Sequence, residues 1–470
     1  MKVEQLYTGC LAEAAYYIES DGEAVIIDPL RETGPYLERA ERDGARIKYV
    51  LETHFHADFV SGHLDLAKKT GATIVYGPTA QPNFEANIAK DNEVLKIGKV
   101  SIVVLHTPGH TMESSTFLLR DENGKDYAVF TGDTLFIGDV GRPDLAVKSD
   151  LSREDLAGLL FDSLRNKIMP LADEVIVYPG HGAGSACGKK MAKETESTIG
   201  QQKLFNYALR ADMTRAEFVR EVTEGLVEPP QYFPKNAVLN KMGYESVESV
   251  MERGLTPLTP KAFMAAAEAS EALILDTRSE KDFVHGFIPG AVSIGLDGQF
   301  ASWVGTLIPD LKQPILLVAD KNREQEAITR LARVGYDNTM GYLDGGFEAW
   351  VSAGNDVETI DTIDAEAFTT RYAQKQNPVI DVRRNSEYDT EHVVGAINVP
   401  LDFLNRELAQ IPRDKTCIVY CAGGYRSVIA ISILKARGFD NLVNVAGGFK
   451  AIKESGKAEL TAFREQRTEL

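Results

Sequence analysis

The second half of the chain repeats itself. Asp276-Thr277-Arg278, Asp282-Phe283, Gly290-Ala291 and Ile294 recur 105 positions later as Asp381-Val382-Arg383, Glu387-Tyr388, Gly395-Ala396 and Val399. GYDN at 335–338 returns as GFDN at 438–441, and GGF at 345–347 returns at 447–449. A period near a hundred residues marks a duplicated domain, because solenoid repeats are far shorter. Each copy alternates strand and helix patterns, so a parallel sheet covered by helices is expected. The chain of 470 residues is too long for one ordinary core, and boundaries are expected near 255 and 357.

Residues before that repeat read as strands that give way to loops. The apolar runs 24–28, 73–77, 100–110, 127–133 and 175–181 look like strands, and all five end in Asp, His or Gly. Helices are expected over 188–207 and 214–224, followed by an irregular proline-rich passage, EPPQYFP, at 228–234. Six of the eight histidines lie in this part. THFHADF at 53–59, HTPGHT at 106–111, TGD at 131–133 and PGHG at 179–182 all follow strand-like runs. Imidazole and carboxylate from several loops can converge on one Zn(II) or Fe(II) ion.

These residues resemble the metallo-β-lactamase superfamily, whose signature is His-x-His-x-Asp-His with later His, Asp and His ligands. Here it reads His54-Phe-His56-Ala-Asp58-Phe59, so the last histidine is replaced by a residue without a donor atom. Asp58 and His181 remain, but the second metal position is left short of ligands, and one metal is expected. Within the superfamily the chain is similar to the persulfide dioxygenases, and to those fused to rhodanese domains. That resemblance implies one Fe(II) per chain on His54, His110 and Asp133, with His56, Asp58 and His181 in an outer layer. It further implies an α/β architecture: an αββα sandwich at 1–255, then rhodanese-like domains with parallel sheets at 256–356 and 357–470.

Three further residues of the first domain carry alternatives. Arg142, in DVGRPDL at 139–145, either holds the anionic end of a thiol carrier or is a turn arginine. Tyr178 either donates a hydrogen bond to the oxygen or persulfide ligand or packs. Cys187, in a glycine-rich loop beside Lys189 and Lys190, either has a lowered pKa and holds persulfide sulfur near the iron or is a buried, inert thiol.

In the last domain the strand-like CIVY runs into Cys421-Ala422-Gly423-Gly424-Tyr425-Arg426-Ser427 and then an apolar helix pattern. Backbone N–H groups of such a loop, with the helix N-terminus, form an anion cradle that favours a thiolate. This is similar to the rhodanese active loop, which implies that Cys421 carries sulfur and that Arg426 attracts sulfite or thiosulfate at the rim. Cys417 is expected in the core. In the first copy ILLVA delivers Asp320 in place of the thiol. The stretch from Asp320 to Gly335 spans 15 residues, against 17 from Cys421 to Gly438. That copy is expected to be catalytically silent.

Fifty-one basic against 69 acidic residues give a formal charge of −18, which argues against nucleic acid or an anionic membrane as partner. Four cysteines and no signal-like start point to the cytoplasm. The resemblance implies oxidation of a low-molecular-weight thiol persulfide by O₂ to sulfite, followed by sulfur transfer giving thiosulfate. The carrier thiol is left open among glutathione, coenzyme A, bacillithiol and inorganic polysulfide, and a homo-oligomer is expected. Two other readings stay open: a zinc thioester hydrolase of the glyoxalase II kind, and a non-enzymatic persulfide carrier or sensor.

Overall fold

Strict alternation shapes the first sheet. In strand Glu13–Ser20, Tyr16 and Ile18 enter one core while Ala15 and Tyr17 enter another, because successive strand side chains point to opposite faces. The computed structural model describes residues 1–145, 151–226 and 228–463. It divides into two compact units: Met1–Val250 with Thr329–Asp337, and Met251–Ile328 with Asn338–Leu470.

The first unit holds two six-stranded sheets. Lys2–Thr8, Glu13–Ser20 and Glu23–Ile27 pair antiparallel, and the sheet continues in parallel through Arg46–Glu52, Thr73–Tyr76 and Asn87–Ile88. The other sheet runs Ser197–Thr198, Ile176–Pro179, Asp126–Gly132, Ser115–Arg120, Val100–His106, Val94–Ile97. Between the sheets Tyr16, Ile18, Val25 and Leu51 meet Ile102, Val104, Phe117 and Phe130. Burying such a side chain stabilises the fold by about 1.5–3 kcal/mol. Helices Gly34–Arg42 and His63–Thr70 cover one outer face through Tyr36, Ala40 and Leu66. Arg153–Ser163 and Arg215–Thr223 cover the other through Ala157, Leu160, Phe218 and Val222. The result is the expected αββα sandwich. Strands Arg46–Glu52, Val100–His106, Asp126–Gly132 and Ile176–Pro179 lead directly into the segments bearing His54, His110, Asp133 and His181.

Two local expectations change. Residues 188–196 form no helix, because the amides of Lys189 and Lys190 donate to the Asp139 carboxylate, each at 2.6 Å, instead of to helix carbonyls. The helix there is Ile199–Phe205, capped by Thr198. The proline-rich passage leads into helix Phe233–Met242. Pro234 sits in its first turn, where a missing N–H costs little.

The second unit contains two five-stranded parallel sheets of identical order. One runs Pro257–Leu258, Thr339–Leu343, Ile315–Val318, Leu273–Asp276, Val292–Ser293. The other runs Thr362–Ile363, Leu442–Val445, Cys417–Tyr420, Val379–Asp381, Ile397–Asn398. Two separated pieces of the repeat pack together: Arg278 binds Asp276 at 2.6 Å and lies 4.2 Å from the Phe347 ring. Arg383 does the same with Asp381, at 2.6 Å, and Phe449, at 4.0 Å. Cys417 is buried, as expected. No helix among the described residues is long and apolar enough to cross a membrane.

Candidate metal centre and sulfur-carrier site

Hydrogen-bond bookkeeping fixes the histidines of the first unit. Asp28 accepts the backbone N–H of Thr53 at 2.7 Å and its hydroxyl at 2.8 Å. A hydroxyl has one proton to give, so Thr53 Oγ1 accepts from Nδ1–H of His54, 3.0 Å away. Nδ1–H of His110 donates to the carbonyl of Arg142 at 2.7 Å. In both rings Nε2 is thereby left with its lone pair. Those nitrogens lie 3.8 and 3.3 Å from Oδ2 of Asp133. Burial and the neighbouring imidazoles hold His54 well below the usual imidazole range, in its neutral form. Neither oxygen of the buried Asp133 has a hydrogen-bonding nitrogen or oxygen partner. The nearest donor atoms of His54, His110 and Asp133 lie within 4.8 Å of one another. Donor atoms from three buried side chains thus face one another, and a cation between them would satisfy all three. Two imidazoles and a carboxylate suit Fe(II) or Zn(II). Close backbone approach makes the convergence possible: a Cβ at Gly180 would stand 2.9 Å from Oδ1 of Asp133.

Beside it lie the other candidates. His56 places Nε2 3.0 Å from Asp28 and 3.5 Å from Glu52. Burial disfavours its charge, yet Asp28 and Glu52 outweigh burial and push its pKa up to about 9. Its donor atom also lies within 4.8 Å of those of Asp58 and His181. His181 donates from Nδ1 to the Ala12 carbonyl at 3.2 Å and turns Nε2 toward Asp58, 3.4 Å, and Asp133, 3.6 Å. Phe59 is fully buried, with its ring 4.3 Å from that of His56.

Cys187 joins this group, because its sulfur lies within 4.8 Å of donor atoms of Asp133 and His181. Of its two alternatives, the surroundings match the buried thiol and not the lowered pKa. Burial, Asp58 and Asp133 all push the thiol well up, and the Lys189 ammonium is turned away onto the carbonyls of Glu221 and Glu224. Asp139, to which the sequence pattern assigns no role, holds this loop. Besides the two lysine amides it accepts the Tyr207 hydroxyl at 3.0 Å, and Arg142 N–H donates to the Cys187 carbonyl at 3.0 Å. The Arg142 guanidinium is bidentate on Asp144 at 2.6 and 2.8 Å. Tyr178 stacks on Phe130 at 5.3 Å and tilts against Tyr16, which is the packing alternative; burial and Glu196 push its pKa up to about 12.

In the second unit Cys421 is buried at the end of Cys417–Tyr420, ahead of helix Tyr425–Ala436. Gly424 N–H donates to its Sγ at 3.1 Å, and Ser427 Oγ stands 3.6 Å away. Gly424 adopts φ +112°, a conformation open to glycine. Ala422, Gly423, Tyr425 and Arg426 line a cavity of about 640 Å³ at the thiol. Arg426 is not free at the rim: it binds Glu387 through two bonds of 2.6 and 2.8 Å. In the first copy Asp320 takes the thiol's place, and burial with Asp282 nearby raises its carboxyl.

Residues 8–181 match the metallo-beta-lactamase superfamily profile, and residues 259–353 and 364–455 match the rhodanese-like domain. A crystal structure of a metallo-beta-lactamase from Staphylococcus aureus subsp. aureus COL is similar over 73% of this chain and 98% of its own, with 32% identity and a TM-score of 0.64. Hydroxyacylglutathione hydrolase GloC of Haemophilus influenzae is 30% identical over 40% of this chain and 88% of its own length. The mitochondrial persulfide dioxygenase of Homo sapiens is 29% identical over 42% and 70%. With its αββα sandwich and two duplicated parallel sheets, the chain belongs to the metallo-β-lactamase superfamily and carries rhodanese-like domains at its C-terminal side.

Proposed function

We propose that the chain oxidises low-molecular-weight thiol persulfides with O₂ to sulfite, and that Cys421 passes sulfane sulfur to sulfite to give thiosulfate. The observation that carries this reading is the buried group His54, His110 and Asp133, whose two imidazole nitrogens and carboxylate oxygen lie within 4.8 Å of one another. One Fe(II) held there would supply open positions for sulfur and dioxygen side by side. Phe59 stands where a ligand of a second ion would be, which favours one metal.

The overall change balances as RSSH + O₂ + H₂O → RSH + SO₃²⁻ + 2 H⁺. Thr53 and the Arg142 carbonyl keep both rings oriented, and His56 lies between Asp28 and Glu52 beside them. In the second unit Gly424 N–H stabilises the Cys421 thiolate, and Cys–S–S⁻ + SO₃²⁻ → Cys–S⁻ + S₂O₃²⁻ returns it. A shared chain raises the local concentration of sulfite.

The test is metal analysis of protein purified without oxygen, followed by an oxygen-electrode assay with glutathione persulfide. Iron near one per chain with oxygen uptake is expected; zinc without uptake overturns the reading. A second reading, a zinc thioester hydrolase, is favoured by His181, whose Nε2 lone pair faces Asp58 and Asp133. Two zinc ions per chain with hydrolysis of an acylated glutathione would establish it.

A further inference from the structure

The cavity at Cys421 is built by both copies of the repeat. Arg384, Glu387 and the Cys421 loop form one wall; Glu280, Asp297 and Trp303 of the silent copy form the other. The Tyr425 hydroxyl donates to the Gly295 carbonyl at 2.9 Å, and Ser293 N–H donates to Ser432 Oγ at 3.0 Å. The silent copy is therefore fixed against the live loop. A Cβ at Gly298 would meet the Tyr425 ring at 2.4 Å, so the contact itself depends on that glycine.

The cavity is larger than a free oxyanion fills. A volume of about 640 Å³ lies within the range of roughly 300–1,000 Å³ of pockets that enclose drug-sized molecules. Sulfite and thiosulfate are far smaller. Three carboxylates, Glu280, Asp297 and Glu387, face two guanidinium groups, Arg384 and Arg426. Arg426 is spent on Glu387. Asp297 is held at 2.9 Å by Arg323, three residues beyond the silent Asp320. Glu280 is half-buried, and no cation pairs with it among the described residues. The lining thus holds one anion without a paired cation among the described residues, Glu280, together with the buried Trp303 and one cation, Arg384, whose partner Asp402 stands 3.8 Å away.

We infer that the silent copy is the specificity wall of the Cys421 site and selects a zwitterionic amino-acid thiol persulfide, its ammonium on Glu280 and its carboxylate on Arg384. This rests on the reading of Cys421 as a sulfur carrier. The step is an exchange without net oxidation: the Cys421 thiolate attacks the sulfane sulfur of RS–SH, the Cys–S–SH bond forms, and the RS–S bond breaks with its electron pair leaving on RS⁻. Thiosulfate carries no ammonium and gains nothing from Glu280.

The experiment follows sulfur loading of Cys421 in the full chain by intact-protein mass spectrometry, anaerobically, so that oxygen chemistry is shut off. The donors are glutathione persulfide, its N-acetylated derivative, which lacks the ammonium, and thiosulfate. Glutathione persulfide is expected to load about tenfold faster than the acetylated form, the order of one charge-assisted hydrogen bond. Glu280→Gln is expected to erase that preference and to leave loading by thiosulfate unchanged. Equal loading of the two persulfides by the parent chain overturns the proposal. So does a preference that survives Glu280→Gln, or a parallel loss of all three reactions in that variant. No loading by any donor overturns the sulfur-carrier reading beneath it.

Discussion

Thr53 Oγ1 lies 3.0 Å from Nδ1 of His54 while donating its single proton to Asp28, 2.8 Å away. The Asp28 carboxylate thereby dictates, through one hydroxyl, which nitrogen of His54 keeps its lone pair. Outer partners of this kind cost roughly 10–100-fold in metal affinity when removed. Thr53→Val is expected to weaken metal retention by that factor in a chelator competition, with the fold intact by circular dichroism. Asp133→Ala, which removes a ligand, is expected to lose metal and oxygen uptake together.

Asp139 ties down the Cys187 loop with two amide bonds of 2.6 Å. Hydrogen bonds to a charged group contribute about 1.5–3 kcal/mol each. Asp139→Ala is expected to release the loop and expose a thiol that is 1% accessible. Labelling of Cys187 by a maleimide should then run at least about tenfold faster, since one such bond exceeds 1.4 kcal/mol. Unchanged labelling would mean that other contacts hold the loop.

Cys421→Ser is expected to leave oxygen uptake intact and shift the product from thiosulfate to sulfite. Gly424→Ala tests the cradle itself, because φ +112° is strained for any residue with a Cβ. Forcing it costs on the order of 1–3 kcal/mol. Its expected signature is slower sulfur loading of Cys421 with normal oxygen uptake.

Glu387 gives a pH prediction. Burial alone would raise its carboxyl, but the bonds from Arg426 win and hold it below the ordinary value of 4.5. A depressed carboxyl stabilises the fold above the unfolded pKa, and that contribution fades as pH falls through the folded pKa. The melting temperature of the chain is expected to drop less between pH 5 and 3 in Glu387→Gln than in the parent. An identical drop in both would show that this pair adds nothing measurable.

The sequence by itself determined the architecture. Period-2 alternation built two sheets sharing a core, and the 105-residue repeat produced two sheets of one strand order. Strand-end chemistry marked the segments that hold His54, His110, Asp133 and Cys421, because ligands and nucleophiles must follow strands in order to converge, and resemblance to known families picked those residues out of them. What only the tertiary structure decided is where the charges go. Side chains distant in sequence decide whether a group is free: Arg426 is held by Glu387, Arg142 by Asp144, and Lys189 by two carbonyls, so none keeps the open cation its motif promised. Cys187 has its pKa raised because Asp58 and Asp133 arrive from other loops. The helix expected over 188–207 gives way to Asp139 for the same reason. Local pattern sets which face of an element is buried; long-range packing sets which polar atoms find partners, and a charge without one can act.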